Sequence, residues 1–218
     1  AYEWRVGLMR DEMVGRLQRN RATYERELGV AAQTETTCYR AQAQPGPDGL
    51  LPMGAWEGVR HEVLGPAMET DGLYVLTHFR TAWTPEALHL LIEAEEPDPD
   101  SSATKVDREA DDPNLWTDQT VEFMLTHEDP RIMSDVRHHV LINDRGVVAD
   151  LSNSLGASDW GWDSEATVAV ERTETGWTAR VALPWASMGI DDPQALGRVA
   201  LNVARHRSRR NLEPEYYS

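Results

Sequence analysis

The 218-residue sequence holds one cysteine, one lysine and two phenylalanines. The lone Cys38 excludes an internal disulfide framework and a thiolate zinc cluster. It stands in a strand-like stretch, Thr36–Arg40, and reads as a buried core thiol rather than a nucleophile. No run of about 18 apolar residues is present, so no segment reads as a membrane-spanning helix. Positive charge is scarce: 21 basic residues face 37 acidic ones, a net charge of −16. That balance excludes a free-standing nucleic-acid binder, because phosphate contacts need clustered cations. Gly156 and Gly161 do not form a dinucleotide-binding loop after a strand. No zinc-protease, serine-hydrolase-elbow or kinase signature occurs.

The apolar fraction of 40%, with 15 glycines, supports a sizeable core. Residues 1–34 differ from the rest. Val6, Met9, Met13, Leu17, Tyr24 and Leu28 recur at helical intervals, and Gly29 offers a C-cap. This predicts a helix over about 5–28, an extension that packs on the domain or joins an upstream partner domain. From residue 35 the period becomes two. Strands are predicted at 36–40, 73–79, 87–95, 119–126, 136–143, 147–151, 166–171, 177–183 and 199–205. In the 87–95 strand, Leu88, Leu90, Ile92 and Ala94 share one face. Pro184–Met188 reads as a helical turn. Eight or nine short strands without alternating helices predict an all-β antiparallel sandwich spanning 35–218.

Adjacent His138 and His139 face opposite sides of a strand and cannot chelate together. His127, beside Glu128 and Asp129, reads as part of a solvated turn, with a metal site as the alternative. Glu93, Glu95 and Glu122 raise the question of paired carboxylates for glycosidic hydrolysis; acidic residues on an open sheet face are the plainer reading. In the acidic loop 96–113, Asp98, Asp100, Asp107, Asp111 and Asp112 offer oxygen donors to a hard cation such as calcium, without EF-hand spacing; a solvated loop is the alternative.

The eight tryptophans are the most informative residues. Trp56, Trp177 and Trp185 read as structural. Trp83, Trp116, Trp160 and Trp162 lie in or beside polar loops, where an indole is poorly placed for burial and well placed to cover the apolar face of a flat or amphipathic ligand.

The ordered elements resemble a known family. The stretch Trp83–Glu96 runs into the acidic loop, and Leu115–Leu125 carries Trp116, Asp118, Val121 and Glu122. Ile142–Gly146 with Asp150 forms a hairpin, Gly176–Gly189 carries Trp177, Pro184 and Trp185, and Leu201–Arg205 closes the sheet. Order and spacing are similar to the carbohydrate-binding module family 9 domains, related to the DOMON sandwiches, over about 35–218. The resemblance implies a non-catalytic, jelly-roll-like sandwich, with structural calcium and a sugar or glycan end gripped between two tryptophans. Trp116 or Trp83 would form one wall and Trp160 or Trp162 the other, with Asn143, Glu122, Arg80 and Arg205 as polar partners. It also implies an extracellular or periplasmic location, often beside a catalytic domain such as a glycoside hydrolase. A haem-binding branch directs attention to Met124, Met133 and His138. A structural or protein-interaction module of a larger protein is the competing reading.

Overall fold

The computed structural model describes residues 36–64, 75–127, 136–154, 157–196, 198–210, 212 and 214–217. Among these residues twelve strands form two six-stranded sheets. The first contains β1 (Tyr39–Arg40), β2 (Glu62–Leu64), β3 (Thr77–Trp83), β4 (Ala87–Glu95), β9 (Thr167–Thr173) and β10 (Gly176–Pro184). Its order is β1-β3-β4-β10-β9, with β2 also paired to β3. The second contains β5 (Thr120–His127), β6 (Arg137–Asn143), β7 (Val148–Ser154), β8 (Ala157–Asp159), β11 (Val199–Arg207) and β12 (Glu215–Tyr217). Its order is β12-β11-β5-β6-β7-β8. Every pairing is antiparallel except the two-residue β1–β3 contact, which is parallel.

The alternation of apolar residues explains the layering. Leu88, Leu90, Ile92 and Ala94 of β4 pack with Val181 and Leu183 of β10 and meet Val121, Phe123 and Leu125 of β5, Val140 and Ile142 of β6, and Val203 of β11. Leu90, Ile92, Phe123, Val140 and Val181 are fully buried, and each such side chain stabilises the fold by about 1.5–3 kcal/mol. Trp177 and Trp185 are buried in this core, and Trp185 Nε1 donates to Thr84 O at 2.9 Å. The outer face of the first sheet is covered by the segment before β2: Leu51 and Trp56 pack on Ala82 and Leu91, and Leu50 on Ala87 and Ala182. Cys38 is a half-buried free thiol against the main core, and burial raises its pKa despite a hydrogen bond with Thr81.

A buried ionic cluster ties the sheets at one end. Glu96, just past β4, accepts from Arg207 of β11 through Nη2 at 2.6 Å and Nε at 2.7 Å, and from Gln119 Nε2 at 2.9 Å. Arg207 Nη1 also donates to Glu215 of β12 at 2.9 Å.

Several expectations change. The strand predicted at 73–79 is described as Thr77–Trp83, so Trp83 ends a strand and points inward in phase with Phe79. Strands β2, β8 and β12 are three residues each, too short for a two-residue period to show. The stretch between the strands predicted at 147–151 and 166–171 contains the end of β7 and all of β8. The proposed helix at 5–28, and the 1–34 extension with it, lie outside the described residues. No α-helix occurs among the described residues; the turn at Ala186–Met188 is 3-10.

Candidate functional site

The outer face of the second sheet carries a groove of about 380 Å³. Strands β5, β6 and β7 build it. Glu122 pairs in register with Leu141, Leu141 with Ala149, and His139 with Leu151, so these five residues share one sheet face. Leu141, Ala149 and Leu151 form an aliphatic floor together with Leu115, which packs onto them from the turn before β5. Trp116, in the 3-10 turn Leu115–Thr117, forms one wall; Trp160, just after β8, forms another. The two indoles are 50% and 51% exposed, whereas the floor beneath them is buried. Glu122 Oε2 and His139 Nε2 lie 3.1 Å apart at the edge of the floor, and Asp112 closes the rim.

The position of Trp116 depends on Arg108. This guanidinium is nearly buried and reaches into the segment that bears the indole. Its Nε donates to both Asp118 carboxylate oxygens at 3.3 Å, Nη1 to Asp112 Oδ2 at 2.6 Å, and Nη2 to Asn114 O at 2.9 Å and Thr117 Oγ1 at 2.6 Å. The Asn114 backbone amide, and then Arg108, hold the Asp112 carboxyl below its ordinary range. Burial opposes the charge on Arg108, yet hydrogen bonding to Asp112 and the Asp118 charge outweigh it and raise its pKa. Beside Trp116 lies buried His206, 6.4 Å away between ring centroids, stacked in turn on Tyr216 at 4.7 Å. A carbonyl can only accept, so His206 Nδ1–H donates to Asp118 O at 3.0 Å. Burial pushes the His206 imidazole below its ordinary pKa.

The groove therefore brings together three of the residues singled out as ligand partners, Trp116, Trp160 and Glu122. The other five lie elsewhere. Trp83 packs inward at the end of β3, between β1 and β4, with the Arg40 guanidinium 5.5 Å from its ring centroid. Trp162 packs against the core, lies tilted against the His138 ring at 4.6 Å, and donates Nε1 to Ser187 O at 2.9 Å. Asn143 is 0% exposed: Nδ2 donates to Asp118 at 3.1 Å and Oδ1 accepts the Arg145 and Val147 amides, fixing the β6–β7 turn. Arg205 is 1% exposed, on the inward face of β11, and donates to Thr77 Oγ1 at 2.9 Å. Arg80, on the first sheet, is ion-paired with Glu93 and donates to Val59 O at 3.3 Å. Loop position pointed to the two indoles and the family resemblance to the three polar residues, and neither reveals the face a side chain occupies.

The remaining candidates separate as well. Glu93 and Glu95 sit on the first sheet beside a shallow depression with His61 and His78, remote in the fold from Glu122 on the other sheet. Glu93 is engaged by Arg80, and Glu95 Oε2 accepts the Leu76 amide at 3.0 Å. Met124 and His138 occupy opposite faces of the second sheet, so they form no axial pair; Met133 lies outside the described residues. So do Glu128 and Asp129, the neighbours of His127. Asp98, Asp100, Asp107 and Asp111 are exposed, and Asp112 is held by Arg108. Among the described residues no three His, Cys, Asp or Glu side chains converge to hold a metal ion. Four of these aspartates face solvent separately, and at Asp112 and Asp118 the Arg108 guanidinium supplies the positive charge. Pattern reasoning missed Arg108, His139 and the aliphatic floor. His139 was readable as facing away from His138, but only the neighbouring strands show what it faces.

No protein-family profile and no curated protein matches the sequence. Solved structures do match. A protein from Bacteroides uniformis ATCC 8492, given a provisional carbohydrate-binding assignment, superposes with a TM-score of 0.58 at 13% identity, over 84% of this chain and 87% of that one. The chain has the fold of a family 9 carbohydrate-binding module. Structures of a family 9 module from Caldicellulosiruptor kristjanssonii, in complex with glucose and with cellotriose, both superpose with a TM-score of 0.52. Their identities are 15% and 14%, covering 82% and 83% of this chain and 83% and 81% of theirs.

Proposed function

We propose that this module binds carbohydrate without catalysing its cleavage, and that the groove between Trp116 and Trp160 is where the sugar sits. One observation carries the reading: two half-exposed indoles rise over a buried floor at a single groove, with a hydrogen-bonding pair, Glu122 and His139, at its edge. Indoles stack on the C–H faces of a pyranose, while a carboxylate and an imidazole hydrogen-bond the hydroxyls around its rim. The glucose and cellotriose complexes of modules with this fold support a sugar as the ligand. The non-catalytic reading is supported by the carbohydrate-binding modules that share this fold. An extracellular or periplasmic location follows from this reading, since polysaccharide is met outside the cytoplasm. Among the described residues no helix is long and apolar enough to cross a membrane.

Calorimetry with cellotriose and a glycan array, on the native chain and on Trp116→Ala and Trp160→Ala, test the proposal. Each substitution is expected to weaken binding at least tenfold while leaving the melting temperature nearly unchanged, because both indoles are half in solvent. Retention of full affinity in both variants would move the site elsewhere.

A further inference from the structure

The floor and the rim of the groove differ in chemistry in a way that bears on which sugar fits. An unmodified hexose carries hydroxyls around its whole edge. Held upright between two indoles, it would turn some of them onto Leu115, Leu141, Ala149 and Leu151, where no donor or acceptor side chain meets them. Of the polar side chains at the rim, Glu122 and His139 stand together on one side, and Asp112 is already engaged by Arg108 and the Asn114 amide. The lining contains no lysine or arginine, and of its two carboxylates Asp112 is ion-paired with Arg108, which leaves Glu122 as the acidic group that faces a ligand. With a net charge of −16 on the chain, a sugar bearing a carboxylate is repelled both near and far.

We infer that the groove selects uncharged sugars carrying an acetyl group, whose methyl rests on the aliphatic floor while the rim pair binds the polar edge. The inference rests on the sugar-binding reading above and names its ligand class. An acetyl group suits both parts of the site. Its methyl covers apolar surface that a hydroxyl would leave unpaired. In an N-acetyl sugar, the amide N–H can also donate to the Glu122 carboxylate, which as an ionised group only accepts. The same floor would receive the methyl of an O-acetyl ester, so amide and ester are two sources of one chemistry.

Calorimetry on the whole chain separates the possibilities. The probes are tri-N-acetylchitotriose with cellotriose as its uncharged counterpart, an O-acetylated xylo-oligosaccharide with its de-esterified parent, and trigalacturonate. At least one acetylated probe is expected to bind more tightly than its unacetylated counterpart, by about fourfold for each methyl buried. Trigalacturonate is expected to bind more weakly than cellotriose. Ala149→Val, which raises the floor, is expected to reduce the ratio of acetylated to unacetylated affinity. Equal binding of acetylated and unacetylated probes overturns the inference and leaves the groove a sugar site. A loss of all sugar binding overturns both. The ratio measured on the native chain decides the matter even where the floor variant folds poorly.

Discussion

Trp160 and Trp162 are two residues apart in one turn, yet they have different surroundings. Trp160 stands half in solvent at the groove, while Trp162 is packed on the core and spends its N–H on Ser187. Trp162→Ala is therefore expected to lower stability by about 2–3 kcal/mol, read as a shifted urea midpoint, whereas Trp160→Ala should leave that midpoint in place. Arg108 makes the same point for charge. Its guanidinium organises Asp112, Asn114, Thr117 and Asp118, and Asp118 is wholly buried. Removing one partner of a buried pair leaves the other charge uncompensated. Arg108→Met is expected to cost about 3 kcal/mol and to weaken sugar binding through the displaced Trp116 turn. Denaturation and calorimetry on the same variant check both halves; an unchanged affinity would show that Trp116 holds its position without Arg108.

At the scale of elements, the two-residue period of Leu88, Leu90, Ile92 and Ala94 correctly assigned the core face of β4, although its other face is also covered, Leu91 packing under Leu51 and Trp56. The adjoining hairpin is constrained more tightly than its sequence suggests. Gly176 opens β10 opposite Glu95 of β4 and Thr173 of β9, and a Cβ there would meet Ala94 O at 2.1 Å. A backbone oxygen cannot yield as a flexible side chain can. Gly176→Ala is expected to destabilise by about 3 kcal/mol, measured as a lowered melting temperature, with sugar affinity unaltered once the protein is folded because the groove lies on the other sheet. The short strands were not legible, since three residues carry no reliable period. Strand β8 matters most among them: its pairing with β7 brings Trp160 to the groove.

At the scale of the whole molecule, the sheets are joined by apolar packing in the middle and by the Glu96–Arg207 cluster at one end. Burial by itself would raise the Glu96 carboxyl; hydrogen bonds from Arg207 and Gln119 outweigh it and hold the group below its ordinary value of 4.5. A carboxyl depressed on folding binds fewer protons in the native state than in the unfolded one. Its stabilisation is thus fully present above about pH 4.5 and is lost as pH falls through the lowered native value. Melting temperatures between pH 6 and pH 3 should fall for the native chain, and Glu96→Gln should start lower and fall less steeply. Parallel curves for the two proteins would remove Glu96 from the acid response.

The sequence by itself determined the all-β class, the faces of the long strands and the surplus of indoles, because these follow from local period and composition. It also pointed to Trp116, Trp160 and Glu122, through loop position and a resemblance to a family with this fold. Only the tertiary structure decided which of those indoles share a groove, that Asn143 and Arg205 are interior, and that Arg108 holds the acidic loop. The reason is physical: a residue's environment is made by strands distant in sequence, and no local pattern records which side chains those strands bring opposite it.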